Sequence, residues 1–126
     1  RHAKEREQFG RPVAEFQGQQ WRFADMAVSL EAARLMLWRA ARTEQDGFPS
    51  MRETAMAKLM CNEAAISVCN EAIGAMGHRG FLVDNPVERN FRDVRGMAIA
   101  GGTVDVLRNI IGGFVTDMKI SQRRQR

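Results

Sequence analysis

The chain has 126 residues, of which 44% are hydrophobic, 27% are charged and three are proline. These figures predict one packed globular domain and exclude collagen-like, low-complexity and disulfide-scaffold proteins. No run of about 18 apolar residues is present, so the sequence predicts no membrane span. No basic-then-apolar signal segment opens the chain, and residue 1 is an arginine inside a predicted helix, so we expect a piece of a longer protein.

The net charge of +4 comes from the end of the chain. Residues 119–126 carry four basic and no acidic side chains, which leaves 15 of each sign (19 − 4 = 15) in residues 1–118. Nucleic-acid binding usually needs a basic face on the folded body. We therefore expect a disordered tail over 119–126 and no nucleic-acid partner. The alternative for this tail is that it binds a membrane surface or nucleic acid.

Cys61 and Cys69 lie eight residues apart in a helical pattern. That spacing is about 12 Å of helix rise, whereas a disulfide needs Cα atoms within about 7 Å. Both are predicted to be free thiols, which suits a reducing compartment. With His2 and His78 they form no metal-ligand spacing, so the sequence predicts no metal site.

The first half of the chain predicts one long helix. Residues 1–9 are typical of a helix end, which Gly10 and Pro12 terminate. From Val13 to Asp46, apolar residues recur in steps of three and four. One apolar face consists of Phe23, Met26, Leu30, Ala33 and Leu37. A second consists of Trp21, Val28, Leu35 and Trp38. We expect the first face to join the core and the second to pack on another domain or subunit.

A second long helix is predicted over Met51–Met76, with Ser50 and Glu53 as a capping box. Its inner face is expected to consist of Ala55, Met56, Leu59, Ile66 and Ile73. Residues 77–80 are typical of a turn or loop.

Residues 81–102 are the least regular segment and the expected place for a site. Thr103 is the predicted N-cap of a last helix that carries apolar residues from Val104 to Met118. No strand alternation is present. The sequence therefore predicts an all-α, antiparallel, up-and-down four-helix bundle, a single domain over 1–126.

These patterns alone do not give a function, because no Ser-His-Asp grouping, phosphate-binding loop or HExxH motif is present. Three segments carry a resemblance: 6–12 (REQFGRP), 77–93 (GHRGFLVDNPVERNFRD) and 102–109 (GTVDVLRN). In this order they resemble the C-terminal helical domain of acyl-CoA dehydrogenases. The similarity runs in register over essentially the whole chain.

The resemblance implies a flavoenzyme that oxidises the Cα–Cβ bond of an acyl-CoA thioester, with FAD as cofactor and an electron-transfer protein as acceptor. It also implies a homo-oligomer, a dimer or tetramer, in the bacterial cytoplasm or the mitochondrial matrix. This chain would be the third domain of the enzyme and inactive alone.

The resemblance also implies site residues. Arg6 matches an arginine on the FAD pyrophosphate of a neighbouring subunit, and Phe9 matches a residue packed near the flavin or its adenosine part. Gln17 matches a glutamine that hydrogen-bonds FAD, and Thr103 matches a threonine beside the FAD phosphates. Gly77 belongs to a glycine-rich loop on the cofactor.

Gly102 matches the glycine that lets the thioester approach, but Gly101 stands where the family usually has its catalytic glutamate. No catalytic residue is therefore predicted in this chain, and the base is expected outside it. A non-catalytic assembly module or an inactive partner subunit is the alternative. Gly74 and His78 also depart from the family's pattern, Gly74 from a glutamine and His78 from a glycine.

Overall fold

The computed structural model of the protein describes residues 1–45 and 47–118. The tail predicted over 119–126 lies outside these residues. The helices of the described ranges are α1 (His2–Glu5), α2 (Gln17–Arg42), α3 (Met51–Met76), α4 (His78–Phe81), α5 (Pro86–Met97) and α6 (Val104–Thr116). Two antiparallel hairpins pair β1 (Glu7–Gln8) with β2 (Arg11–Pro12) and β3 (Glu44–Gln45) with β4 (Phe48–Pro49).

Helices α2, α3, α5 and α6 form the predicted antiparallel bundle. Arg22 near the start of α2 pairs with Glu71 near the end of α3 at 2.8 Å, so these two helices run in opposite directions. α5 begins beyond the end of α3 and returns along it, because Lys58 of α3 bonds the backbone just after α5. α6 then runs parallel to α3, with Arg108 against Glu63. In the described part of the chain, no helix is long and apolar enough to cross a membrane.

Small side chains form the core. The buried hydrophobic residues are Ala33, Ala40, Ala55, Ala57, Ala64, Ala98 and Leu107. Because alanine has only a methyl group, α2 and α3 approach closely, and the Cys61 thiol reaches the Ala33 carbonyl oxygen at 3.7 Å. Cys61 and Cys69 are free and half-buried, and burial raises the pKa of both thiols.

The two apolar faces predicted on α2 have different environments. Phe23, Met26 and Ala33 of the first face are buried or half-buried, but Leu30 and Leu37 keep 51% and 54% of their surface exposed. The second face, Trp21, Val28, Leu35 and Trp38, is exposed throughout and is called the outer stripe below. On α3, Ala55 is buried as predicted. The other residues of the predicted inner face are only half-buried: Met56, Leu59, Ile66 and Ile73.

The helix predicted at the start of the chain was wrong beyond Glu5. β1 and β2 form a hairpin around Phe9 and Gly10, whose φ values are +52° and +78°. Such values match the turn that joins two twisted strands through two residues. Gly10 thus marks a hairpin turn rather than a helix end.

The long helix predicted over Val13–Asp46 is shorter at both ends. A 3₁₀ turn occupies Val13–Glu15, and α2 begins at Gln17. At the other end the Thr43 hydroxyl and backbone N–H both donate to the Ala40 carbonyl oxygen, which ends the helix before β3. The prediction that the chain has no strands was also wrong. The two hairpins were missed because strands of two residues are too short to show alternation.

Helix α3 has the predicted bounds, but the predicted capping box has a different geometry. The Ser50 hydroxyl donates to the Glu53 carboxylate and does not accept a hydrogen bond from the Glu53 backbone N–H. The two side chains therefore satisfy each other.

The segments predicted as a loop over 77–80 and as irregular over 81–102 contain two helices. Residues 78–81 form the single turn α4, and α5 begins directly after Asn85, whose side-chain oxygen accepts from the Val87 N–H at 3.0 Å. Pro86 has its ordinary place in the first turn of this helix, where no N–H partner is needed. The N-cap predicted at Thr103 is confirmed, with its hydroxyl 3.4 Å from the Val106 nitrogen.

Candidate functional site

A basic cleft lies where α1, the first hairpin and the ends of α2 and α3 meet. Its volume is about 410 Å³, and its lining residues are His2, Arg6, Gln8, Val13, Gln19 and 74–79. This set contains Arg6, Arg79 and two histidines but no carboxylate. The lining therefore favours an anionic ligand.

Arg6 and Gly77 are the sequence-predicted site residues that line this basic cleft. The backbone holds Arg6 in place: its N–H donates to the His2 carbonyl at 2.8 Å, and its carbonyl accepts from the Val13 N–H at 2.8 Å. Gly77 has φ +60°, a conformation that L side chains rarely adopt, and it turns the chain from α3 into α4. The chain therefore turns sharply at Gly77, within the wall of the basic cleft.

Two further predicted residues lie on elements that border the basic cleft but are not among its lining residues. Phe9 is 93% exposed at the tip of the first hairpin, and its ring meets Phe16 edge-on with centroids 6.2 Å apart. Arg11 lies over the other aromatic ring, 4.2 Å from the Phe16 centroid. Gln17 is exposed at the first position of α2.

Gln19 was missed by the sequence analysis. Its side-chain oxygen is buried and has no hydrogen-bond partner within the described residues, although Gln19 lines the basic cleft. A buried acceptor without a partner is costly, so this oxygen is suited to an N–H or O–H donor on a ligand. It lies two residues after Gln17 and directly before Gln20, and no sequence pattern distinguished it from these two glutamines.

The other two predicted site residues, Gly102 and Thr103, lie at the opposite end of α3. Gly101 and Gly102 have φ values of +62° and +96°, and Thr103 caps α6; residues 101–103 are called the glycine turn below. Lys58 donates from Nζ to the Ala100 carbonyl oxygen at 2.8 Å and to that of Gly101. Gly102 and Thr103 are thus not brought together with Arg6 and Gly77.

The distance between the two groups follows from helix geometry. Lys58, which contacts the glycine turn, and Gly77, which lines the basic cleft, are 19 positions apart along α3 and its end (77 − 58 = 19). At about 1.5 Å of rise per residue, this is roughly 28 Å. The chain therefore presents two separate candidate surfaces, one at each end of the bundle.

Comparison with known proteins gives the family. The family model described as "Acyl-CoA dehydrogenase, C-terminal domain" matches residues 1–116. The chain belongs to this family. The resemblance seen in the three sequence segments is thereby confirmed, and FAD is the cofactor of the family's enzymes.

Several relatives of this acyl-CoA dehydrogenase domain are full enzymes. The 3-sulfinopropanoyl-CoA desulfinase of Paraburkholderia xenovorans is 52% identical over 98% of this chain and 31% of its own length. The human mitochondrial short-chain specific acyl-CoA dehydrogenase is 41% identical over 90% of this chain and 28% of its own. The chain spans about 30% of the length of such relatives.

Solved structures of the family share the fold. Butyryl-CoA dehydrogenase from Megasphaera elsdenii matches with a TM-score of 0.86 and 35% identity, over 91% of this chain and 30% of its own. A glutaryl-coenzyme A dehydrogenase in complex with glutaryl-CoA matches with a TM-score of 0.87 and 31% identity, over 99% and 32% of the two chains. The four-helix architecture is therefore that of the acyl-CoA dehydrogenase C-terminal domain.

Proposed function

We propose that this chain is the C-terminal, FAD-contacting and oligomerisation domain of a longer flavoenzyme that acts on an acyl-CoA thioester. The observation that carries the proposal is the pair of ligand-suited surfaces, the basic cleft and the glycine turn, at opposite ends of α3 in a domain of this family.

The basic cleft fits the phosphate-bearing part of FAD. Arg6 and Arg79 supply guanidinium groups that grip phosphate oxygens through paired hydrogen bonds, with no carboxylate in the lining to compete. The unpartnered Gln19 oxygen offers an acceptor to a donor on the same ligand. Phe9 and Gln17, at the rim, would contact the more distant parts of the cofactor.

The glycine turn would serve a second bound cofactor together with the substrate. Thr103 caps α6 at its positive end, where a phosphate is favoured, and Gly102 leaves room for the thioester. Because roughly 28 Å separate the two surfaces along α3, we infer that each contributes to a different active site of an oligomer. The exposed outer stripe on α2 supplies an apolar surface for that assembly.

Position 101 limits the reaction. Dehydrogenation needs a base at the α-carbon, and Gly101 offers none; FAD, when bound, supplies the hydride acceptor for that chemistry. A dehydrogenase built on this domain would therefore take its base from outside residues 1–126.

Removal of a sulfinate group is the second candidate, and we favour it. Four desulfinases are 47–52% identical to this chain, whereas the short-chain dehydrogenases are 39–41% identical. In this reaction the C–S bond of a 3-sulfinoacyl-CoA is replaced by C–H, water is consumed and sulfite leaves, with no net electron transfer to an acceptor. A side chain that removes the α-proton for oxidation is then not required at position 101.

The complete polypeptide that carries this domain tests the proposal. It should copurify with FAD and release sulfite from 3-sulfinopropanoyl-CoA without reducing an artificial electron acceptor. Acceptor reduction with butyryl-CoA would instead favour a dehydrogenase with its base elsewhere. A colourless protein that does neither would leave the assembly module or inactive partner subunit.

The basic cleft is tested separately with Arg6→Gln in the same polypeptide. We expect FAD retention after gel filtration to fall at least about tenfold, because a charged hydrogen bond contributes about 1.5–3 kcal/mol. Arg42→Gln, on an exposed arginine in the last turn of α2, is the control and should keep its flavin. Equal retention by both variants would remove Arg6 from the site.

A further inference from the structure

Lys58 has an unusual place in α3. It is the only charged residue between Thr54 and Asn62, in a stretch of small and apolar side chains, and it is half-buried. Its ammonium group bonds two successive backbone carbonyls, those of Ala100 and Gly101, which lie more than 40 residues further along the chain. Such charge-assisted bonds are stronger than bonds between neutral groups.

The glycine turn has little else to fix its shape. Gly101 and Gly102 both have positive φ, a region that glycine enters and leaves easily. The backbone bond that spans the turn is the one from the Val104 N–H to the Ala98 carbonyl, at 3.3 Å. Among the described residues, Lys58 is the one side chain from another helix that bonds to residues 98–103.

A neighbouring contact shows what Lys58 does differently. Arg108 of α6 also reaches α3, where it pairs with Glu63 and, within its own helix, with Asp105 at 3.0 Å. Arg108 therefore ties α6 to α3 beyond the glycine turn and touches none of its carbonyl groups. Of these two contacts with α3, the one made by Lys58 reaches the turn itself.

We propose that Lys58 is a positioning residue, whose ammonium holds the Ala100 and Gly101 carbonyls and so keeps the glycine turn in the shape that accepts the acyl-CoA thioester. The inference rests on the proposed function, because it is there that Gly102 is assigned to the thioester. Lys58 itself acts through the turn and needs no contact with the substrate.

The test compares three variants of the FAD-loaded complete polypeptide: Lys58→Met, which keeps the length of the side chain, Lys58→Arg, which keeps its charge, and Arg108→Met, the control that removes the other tie to α3. Amide hydrogen exchange of residues 98–104 reports the shape of the turn. Affinity for butyryl-CoA, read from the flavin absorption, reports thioester binding.

Lys58→Met should speed exchange of residues 98–104 and weaken butyryl-CoA binding, each at least tenfold, when both are measured at saturating FAD. Lys58→Arg should recover part of both, and Arg108→Met should alter neither by more than twofold. Unchanged exchange and affinity in Lys58→Met, or equal losses in Arg108→Met, would overturn the proposal. Loosening of the turn in Lys58→Met, with binding of neither butyryl-CoA nor 3-sulfinopropanoyl-CoA by the unmodified protein, would sink the proposed function instead and leave the structural role of Lys58 standing.

Discussion

Single residues fix the corner between α3 and α4, and Gly80 is the tightest of them. It is buried, and a Cβ atom there would lie 2.8 Å from the Ile73 carbonyl oxygen and 2.9 Å from the Ile73 Cα. Both contacts are to backbone, which cannot move aside without shifting α3. The position therefore accepts no side chain.

Gly80→Ala should lower the free energy of unfolding by about 1–3 kcal/mol, the usual cost of overpacking. The control is Gly18→Ala in the first turn of α2, where nothing lies within 4 Å of the new methyl group. It should be neutral or stabilising by up to about 1 kcal/mol, since alanine is the better helix former. Urea denaturation of the two variants measures both; equal stability would contradict the packing argument.

The Ser50–Glu53 pair predicts a pH-dependent stability. The Ser50 hydroxyl bond, more than any other contact, holds the pKa of the Glu53 carboxyl below its ordinary value. A pKa that is lowered by folding stabilises the fold above the ordinary value, and that stability is lost as the pH falls through the folded value.

Ser50→Ala should therefore destabilise the protein at neutral pH. The difference should shrink as the pH falls from the ordinary glutamate pKa of about 4.3 through the lower folded value, below which the carboxyl is protonated in both states. Thermal melts at a series of pH values measure it. Ser67→Ala, at an exposed position in the middle of α3, should show no such trend. A pH-independent loss in Ser50→Ala would mean that the pair does not set the Glu53 pKa.

Long-range contacts at the residue scale were not predictable from the sequence. The resemblance named Arg6 and Gly77 as site residues, and the structure places both in the basic cleft. No sequence pattern assigned a partner to Gln19 or Lys58. Lys58 was visible only as a single charge among small residues, and its partners are backbone carbonyls far along the chain. Such partners carry no sequence signature, because every residue has a carbonyl.

At the scale of elements, helix existence was easier to predict than helix ends. α3 was predicted from Met51 to about Met76, close to its observed bounds, because Pro49 and Gly77 interrupt the pattern on both sides. α5 was missed because residues 81–102 were interpreted as irregular, although Asn85 and Pro86 are a good helix start.

Asn85 is the residue that makes this start. Its side-chain oxygen caps α5 through the Val87 N–H, and its side-chain nitrogen donates to the Arg79 carbonyl at 2.8 Å, which joins α4 to α5. Asn85→Ala should cost about 1–2 kcal/mol of unfolding free energy. Asn85→Asp keeps the cap and loses the donor. Its free energy of unfolding in chemical denaturation should lie between those of the unmodified protein and Asn85→Ala. Asn70→Ala, exposed on α3, is the control and should be near neutral.

At the scale of the whole molecule, the outer stripe leaves one side of α2 apolar and exposed. Trp21, Val28, Leu35 and Trp38 place a row of large apolar groups along one side of α2, while the core below is made mostly of alanine. Large exposed apolar groups in a row of this kind mark an interaction site. The sequence predicted this division of α2 into two faces, although it placed Leu30 and Leu37 deeper than they lie.

The isolated chain should self-associate through the outer stripe. Val28→Glu with Leu35→Glu places two charges on the stripe and should shift the protein to monomer in analytical ultracentrifugation. Val83→Glu, equally exposed but between α4 and α5, should leave the association unchanged. A monomeric unmodified chain at high concentration would contradict the role of this surface.

The placement of the two tryptophans gives the assembly a built-in optical signal. The chain contains two tryptophans and no tyrosine, and Trp21 and Trp38 lie at the two ends of the outer stripe with 62% and 58% of their surface exposed. Ultraviolet emission therefore comes from indole rings that water surrounds in a single copy. Binding of a second copy or another partner to this side of α2 would shift that emission to shorter wavelength. Dilution in a fluorimeter therefore follows subunit dissociation without a dye.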